Sequence, residues 1–197
     1  MNIFIKQFGK PDGVIGRLFG KMMTVSNRKM HKAVLSELSP SGNVLEIGFG
    51  SGSQLEMIHD RYPEVRLYGM DISSEMLTTA EKRIGKTAVL SLCDCTETAF
   101  ADGYLDAVIS TDSCYFWREH EKILYEIKRI SKPSGKLILA YNSMYANAVH
   151  KSDGSLGMYD DENISKAVNS AGMKIISVRA CGYKQKIFTI LINGEVK

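Results

Sequence analysis

The sequence has no long hydrophobic run. Its longest apolar stretches, Leu137–Tyr141 and Ile187–Ile192, span only five and six residues, whereas a membrane-spanning helix needs about 20. Residues 1–10 also lack the apolar stretch of about 7–15 residues that marks a secretory signal. We therefore expect a cytoplasmic protein without a membrane span or an export signal.

The four cysteines show neither a CxxC pair nor a histidine spacing typical of zinc ligands. A chain of 197 residues can bury about 70% of the surface that it exposes when unfolded, so it needs no disulfides. There is no internal repeat, and a composition of 44% apolar and 24% charged residues excludes a disordered or fibrous chain. We expect one globular domain with reduced thiols and no bound metal.

The net charge of +3 is unevenly distributed along the chain. Residues 1–40 carry seven basic and two acidic side chains, a net +5, whereas the other 157 residues carry 18 and 20, a net −2. The basic segment can meet an anionic partner such as a lipid, a nucleic acid or an acidic substrate. It can also be the solvated face of a pair of N-terminal helices, which we favour.

From residue 43 onward, short apolar runs alternate with stretches of helical periodicity. The predicted strands are Asn43–Gly48, Arg66–Asp71, Thr87–Leu92, Leu105–Ser110, Lys136–Tyr141, Lys174–Ala180 and Lys186–Ile192. The predicted helices are Ser53–Arg61, Glu75–Ile84, Arg118–Ser131 and Asp161–Ala171. The turn between the last two strands is too short for a parallel crossover. The pattern predicts an α/β fold with helices on both faces of a mostly parallel sheet and one antiparallel strand near the C-terminal end.

A glycine-rich loop follows the first predicted strand. Gly48, Gly50 and Gly52 open directly into a helix, so backbone N–H groups there can approach a ligand closely. Ser53 stands where a dinucleotide-binding loop has its third glycine. Glycines in a tight strand–helix turn can also be purely structural, so the loop alone leaves both interpretations open.

Acidic residues follow or open the neighbouring strands. Asp71 ends the second strand, where a carboxylate can accept hydrogen bonds from a ribose diol. Asp94 follows the third strand, at the edge where open α/β sheets bind ligands. Asp106 opens the fourth strand, and a structural role is as compatible with that position as a functional one.

Taken in order, these motifs resemble those of class I S-adenosylmethionine-dependent methyltransferases. They are Glu46-x-Gly48-x-Gly50-x-Gly52, Asp71, Asp94, Tyr104-Leu-Asp106-Ala-Val and Lys132-Pro-Ser-Gly-Lys136-Leu. The resemblance covers residues 43–141 and is nearest to the small "methyltransferase domain 11" type. It implies a Rossmann-like, doubly wound, seven-stranded sheet and S-adenosylmethionine as cofactor, with S-adenosylhomocysteine as product.

The resemblance also implies roles for the matching residues. The loop from Gly48 to Gly52 would contact the methionine moiety, with Glu46 supporting it. Asp71 would bind the ribose hydroxyls. The other expected contacts are Ile72, Asp94 and Cys95 at the adenine, and Ser110 and Thr111 beside the methionine part and the transferring methyl.

Catalytic residues are harder to predict, because methyl transfer needs a base only if the acceptor must lose a proton. The residues expected near the acceptor are Asp112, Tyr115, Trp117, Tyr141, Asn142, Tyr145 and His150. Among them His150, Tyr115 and Tyr141 are the candidate catalytic residues. His150 is expected in an irregular loop where it can also be merely solvated, and the aromatic residues can be wall or core. The other histidines, His31, His59 and His120, are expected at the surface or in the core.

The acceptor is expected to be a small molecule. Residues 110–113 lack the Pro-Pro-aromatic motif of enzymes that methylate nucleic-acid bases or amide side chains. Residues 142–160 are too few for an inserted substrate domain. A nucleic-acid substrate is therefore not expected, while the acceptor atom and the oligomeric state stay open.

Residues 1–40 are expected to form a helical lid on a methyltransferase domain of residues 41–197. The apolar face predicted for this segment consists of Val14, Ile15, Leu18, Phe19, Met22 and Met23. That face can cover the cofactor cleft, with Asn27 and Met30 near the site, or make peripheral contact with an anionic membrane. Two other functions are kept as alternatives: an NAD(P)-dependent oxidoreductase and a non-catalytic cofactor-binding or interaction module.

Overall fold

The computed structural model describes residues 27–38, 40–153 and 157–193. Helix α1 covers residues 27–37. The other helices are α2 (Ser53–Arg61), α3 (Ser74–Ile84), α4 (His120–Ile130), α5 (Ser143–Asp153) and α6 (Asp161–Ser170). The strands are β1 (Asn43–Ile47), β2 (Arg66–Asp71), β3 (Ala88–Leu92), β4 (Leu105–Thr111), β5 (Ser131–Asn142), β6 (Lys174–Gly182) and β7 (Gln185–Leu191).

The seven strands form one sheet in the order β3-β2-β1-β4-β5-β7-β6. Strand β7 is antiparallel to both of its neighbours, and the other pairings are parallel. The predicted fold class, including the one antiparallel strand, is confirmed. The order of the strands reverses between β1 and β4, and their carboxyl ends form a crevice of the kind in which open α/β sheets bind ligands.

The two faces of the sheet carry separate apolar clusters. Successive residues of β1 point to opposite faces, so Val44 joins one cluster and Leu45 the other. Helices α1, α2 and α3 cover the Val44 face, whereas α4, α5 and α6 cover the Leu45 face. This two-sided burial explains why apolar residues stand next to one another in the central strands, as at Val44 and Leu45 of β1, instead of alternating with polar ones.

Asp106 has a structural role. Its Oδ2 accepts a hydrogen bond from the backbone N–H of Asn43 at 2.8 Å, and its Oδ1 accepts one from Lys132 Nζ at 2.7 Å. The carboxylate therefore connects the amino-terminal ends of β1, β4 and β5, which lie at the opposite end of the strands from the crevice.

Two segments differ from the prediction. Strand β5 begins at Ser131, directly after α4, rather than at Lys136. An irregularity in its pairing with β4 between Leu105 and Ala107 accommodates the extra residues. The predicted irregular segment that carries His150 is wrong, because residues 143–153 form helix α5. The Asn142 side chain accepts from the backbone N–H of Met144 at 3.0 Å, which starts the helix.

The apolar face predicted for residues 14–23 lies outside the described residues. Of the two residues expected near the site, Asn27 is buried in α1 and Met30 is fully buried in the core. Within the described ranges, no helix is long and apolar enough to cross a membrane.

Candidate active site

The glycine loop connects β1 to α2 and lies at the crevice formed by the carboxyl ends of the strands. Gly48 has φ 78° and donates its N–H to the carbonyl of Met70 at 2.7 Å. A Cβ on Gly48 would lie 2.5 Å from both Cβ and Oγ of Ser113. Gly50 also has a positive φ, of 53°, but a Cβ there would meet no protein atom within 4 Å. Gly48 is thus fixed by packing, whereas Gly50 leaves open space beside the backbone.

The Asp71 carboxylate joins this loop to the one after β2. Its Oδ2 accepts from the N–H of Gly50 and its Oδ1 from the N–H of Ser73, both at 2.9 Å. Burial raises the pKa of Asp71, and these backbone hydrogen bonds oppose the rise. Each oxygen keeps a further lone pair, so the carboxylate can also accept from a ligand.

Glu46 lies beneath the loop and is 2% exposed. Among the described residues, its Oε2 has no hydrogen-bond partner. Burial and, secondarily, the charge of Asp71 hold the pKa of Glu46 well above its usual value. A cationic ligand in this position would offset that burial cost by favouring the charged carboxylate.

A cavity of about 320 Å³ lies over the loop. This volume is within the range of roughly 300–1,000 Å³ that is typical of small-molecule sites. Of the residues predicted to bind the cofactor, those that line the cavity are Glu46, Gly48, Gly50, Asp71, Ile72, Asp94, Cys95 and Thr111. Ile72 is 46% exposed and offers an apolar surface there.

The other two predicted cofactor residues lie outside the lining. A Cβ on Gly52 would lie 3.0 Å from that of Ala80, so Gly52 allows α2 to approach α3. Ser110 is fully buried, and its hydroxyl lies 2.8 Å from that of Ser113, which donates to the carbonyl of Ile47. Ser110 therefore supports the loop from behind.

The three candidate catalytic residues also lie outside the cavity lining. Tyr115 is buried, the Tyr141 hydroxyl hydrogen-bonds to Asp161, and His150 stacks on Tyr159 with ring centroids 3.7 Å apart. Of the residues expected near the acceptor, Asp112 and Trp117 do line the cavity. The backbone N–H of Asn142 donates to Asp112.

Helix α1 adds a cavity residue, His31, that its sequence context predicts only at the surface or in the core. His31 lies one turn after Asn27, and both line the cavity and are buried. The Nδ1 of His31 is 3.4 Å from Ser53 Oγ, and burial lowers its pKa to about 4. The imidazole is therefore neutral near pH 7. The four-residue spacing of Asn27 and His31 is the signal that could have paired them on one helix face.

No group of three or more His, Cys, Asp or Glu side chains within the described ranges could hold a metal ion. All four cysteines are free. Cys95 is buried and Cys93 half-buried, and both line the cavity.

Comparison with known proteins is consistent with this geometry. A family model described as a methyltransferase domain matches residues 45–139. The uncharacterized methyltransferase YdaC of Bacillus subtilis is 28% identical over 141 residues, which cover 70% of this chain and 78% of the relative. The ubiquinone/menaquinone biosynthesis C-methyltransferase UbiE of Desulfotalea psychrophila is 29% identical over 64% of this chain. The matched part spans only about half, 54%, of that relative's length.

A solved structure extends the fold match to nearly the whole chain. It is described as "Complex between the Haloferax volcanii Trm112 methyltransferase activator and the putative methyltransferase". The aligned chain has a TM-score of 0.82 and 18% identity, over 98% of this chain and 99% of that one.

The seven-stranded sheet, the glycine loop and these matches assign the chain to the class I S-adenosylmethionine-dependent methyltransferases. S-adenosylmethionine is the cofactor of this class, and the cavity fits it. The cofactor carries positive sulfonium and ammonium groups, and the unpartnered Oε2 of Glu46 can compensate a positive charge. The open space at Gly50 and the apolar surface of Ile72 leave room for its uncharged parts.

Proposed function

We propose that the chain transfers a methyl group from S-adenosylmethionine to a small-molecule acceptor bound in this cavity. The observation that carries the proposal is the position of the Asp71 carboxylate. It accepts hydrogen bonds from the backbone N–H groups of Gly50 and Ser73, lines the cavity, and keeps further lone pairs that can accept from a ligand. This is the arrangement that a ribose diol at the carboxyl end of the second strand would need.

In this proposal, the cofactor residues divide by chemistry. Gly48, Gly50 and Glu46 lie against the amino-acid end of the cofactor, and Asp71 accepts from the ribose hydroxyls. Ile72, Asp94 and Cys95 line the part of the cavity proposed for the adenine. When bound, the cofactor supplies an electrophilic methyl group. The chain's own contribution is to position the acceptor and to exclude water.

A small acceptor is supported by the walls of the cavity. Phe116 and Trp117 line the cavity from the segment after β4. Helix α1, which precedes the sheet in the sequence, contributes Asn27 and His31. Residues 143–153, which follow β5, form a single helix rather than an inserted domain.

Isothermal calorimetry with S-adenosylhomocysteine tests the cofactor site through a matched pair of variants. Gly50 and Gly103 both have positive φ, of 53° and 64°, with no atom within 4 Å of an added Cβ. Alanine at either position therefore pays a similar backbone cost of about 1–2 kcal/mol. Only Gly50 lines the cavity, so Gly50→Ala should weaken binding at least about tenfold, which is 1.4 kcal/mol. Gly103→Ala should leave the affinity unchanged. Equal affinities in the two variants would contradict the placement of the cofactor.

A protein acceptor or a protein partner is the alternative that the Haloferax complex raises. Radiolabelled methyl transfer to a small-molecule fraction, compared with transfer to a protein fraction of the same cells, separates the two kinds of acceptor. Label recovered only in protein would overturn the small-acceptor proposal and leave the cofactor assignment in place.

A further inference from the structure

Asp112 occupies an uncommon backbone conformation at the end of β4. Its φ is 51°, in the left-handed region that non-glycine residues seldom adopt. Two hydrogen bonds to the end of β5 hold it there. The Asp112 N–H donates to the Ala140 carbonyl at 2.8 Å, and Oδ1 accepts from the Asn142 N–H at 2.7 Å. The neighbouring strand thus fixes both the backbone and the carboxylate.

The second carboxylate oxygen lacks such a partner. Asp112 is 4% exposed and lines the cavity, and its Oδ2 has no hydrogen-bond partner among the described residues. The side chains of Asn27 and Tyr115 are near enough to favour the charged form, yet burial dominates and raises the pKa of Asp112 to about 6.

The titratable groups around Asp112 are neutral near pH 7. Tyr115 and Cys114 lie on the short helix after β4, and Cys181 lies on β6. The pKa of Tyr115 is well above its usual value, that of Cys114 is about 12, and that of Cys181 is raised; burial is the main cause in each case. Asp112 is therefore the group of this cluster that changes charge near neutral pH.

A second buried oxygen reaches the same cavity from α1. Asn27 is 5% exposed, and its Oδ1 has no hydrogen-bond partner in the described part of the chain. Buried acceptor oxygens without partners are costly. A bound molecule that brings hydrogen-bond donors would remove that cost for Asn27 and Asp112 together.

We propose that Asp112 Oδ2 and Asn27 Oδ1 form the subsite for the methyl acceptor. This subsite binds a nucleophile that carries an N–H or O–H group, and Asp112 takes the proton of that group. This inference rests on the proposed function. The lone pair of the acceptor atom forms the new bond to the methyl carbon, the carbon–sulfur bond breaks with its electron pair left on sulfur, and the proton passes to Asp112 and then to water. A thioether acceptor has no such proton and would not need Asp112.

The test compares the full chain with Asp112→Asn. Asparagine has the same shape, tolerates positive φ and can still accept from the N–H of Asn142 through its amide oxygen. Asp102→Asn is the matched control, because it removes one carboxylate from an exposed pair with Arg129 outside the cavity.

Three measurements are made on each protein. Calorimetry with S-adenosylhomocysteine should give dissociation constants within about twofold of wild type for both variants. The carboxyl ¹³C titration of the wild type should show a group with a midpoint near 6 that disappears only in Asp112→Asn. Labelled methyl transfer is measured with catechol, phenethylamine and dimethyl sulfide as probes.

We expect wild-type transfer to catechol or phenethylamine, lowered about 100-fold or more in Asp112→Asn, the scale of a lost general base, and unchanged in Asp102→Asn. The wild-type rate should rise with pH to a plateau above about 6. The inference is overturned if Asp112→Asn keeps the rate, if it weakens cofactor binding as Gly50→Ala does, or if the wild type methylates neither catechol nor phenethylamine. Failure of the wild type to bind S-adenosylhomocysteine would instead overturn the proposed function.

Discussion

At the scale of single residues, the close packing of Gly48 against Ser113 fixes the shape of the glycine loop. Gly48→Ala would combine left-handed strain with a clash at 2.5 Å. We expect a loss of about 2–4 kcal/mol in the free energy of unfolding, which adds overpacking to backbone strain. Urea denaturation measures the loss, with Gly103→Ala as the variant that has strain without a clash. Equal losses would show that Ser113 moves aside freely.

The Asp71 carboxylate gives a second prediction at this scale. Asp71→Ala leaves the N–H groups of Gly50 and Ser73 without their acceptor and removes the proposed partner of the ribose hydroxyls. Affinity for S-adenosylhomocysteine should fall by about 1–3 kcal/mol, the scale of buried donors left unpaired. Calorimetry measures it, and an unchanged dissociation constant would refute the ribose assignment.

The sequence indicates some of these residues and not others. Asp71, Gly48 and Gly50 are predictable as cavity residues, because each lies at or just after the carboxyl end of a predicted strand. Asn27 and His31 are not, since they reach the cavity only through the packing of α1 on the sheet. Asp112 is a candidate from its position after β4, but its positive φ and unpartnered oxygen depend on β5 and appear only in three dimensions.

At the scale of elements, α4 holds the loop between β3 and β4. Glu126 Oε1 accepts from the N–H and the hydroxyl of Thr98, both at 2.7 Å. Its carboxylate also pairs with Arg129, which reaches the Phe100 carbonyl and Asp102. The Glu126 carboxylate therefore holds the loop at Thr98 directly and at Phe100 through Arg129.

Glu126→Gln should lower the free energy of unfolding by about 1–3 kcal/mol at pH 7, because charged hydrogen bonds are lost. Hydrogen bonds from Arg129 are the main reason that the pKa of Glu126 lies below its ordinary value of 4.5. The wild-type contribution is thus complete above about 4.5 and is lost as the pH falls through the lower, folded value. Urea melts at pH 7 and pH 3 should show the two proteins converging at low pH. A constant difference would contradict the electrostatic account.

The elements themselves are mostly predictable from periodicity, and the exception is instructive. All seven strands and the helices α2, α3, α4 and α6 follow apolar patterns or capping residues. Helix α5 is not predicted from periodicity, because it buries only a short apolar stripe, which includes Ala146 and Val149, within a polar sequence. Its hydrogen bond from Met144 to Asn142 is the local signal.

At the scale of the whole molecule, cofactor binding should raise the stability of the fold. S-adenosylhomocysteine at 100 times its dissociation constant should add about 2.7 kcal/mol. For a chain of this length, that corresponds to a rise in Tm of roughly 5–11 °C. A thermal melt with NADH should leave Tm unchanged. A rise with NADH alone would favour the oxidoreductase alternative, and no rise with either would favour a module that binds neither.

The architecture as a whole is predictable as far as the direction of the strands, because connection length decides between parallel and antiparallel neighbours. The position of β7 between β5 and β6 is not, since several sheet orders satisfy the same connection lengths. Only the pairing of β7 with both strands selects the observed one.

The position of β7 between β5 and β6 has a consequence for folding during synthesis on the ribosome. Strand β6 is synthesised before β7, but its pairing in the sheet is with β7. Until residue 191 has emerged, β5 keeps an open edge and β6 has no neighbour to join. A nascent chain can assemble β1 to β5 early, yet the sheet is completed only after β7 has left the ribosome. An interruption of translation between residues 182 and 185 would therefore leave an unpaired apolar edge at β5, the kind of edge at which chains aggregate.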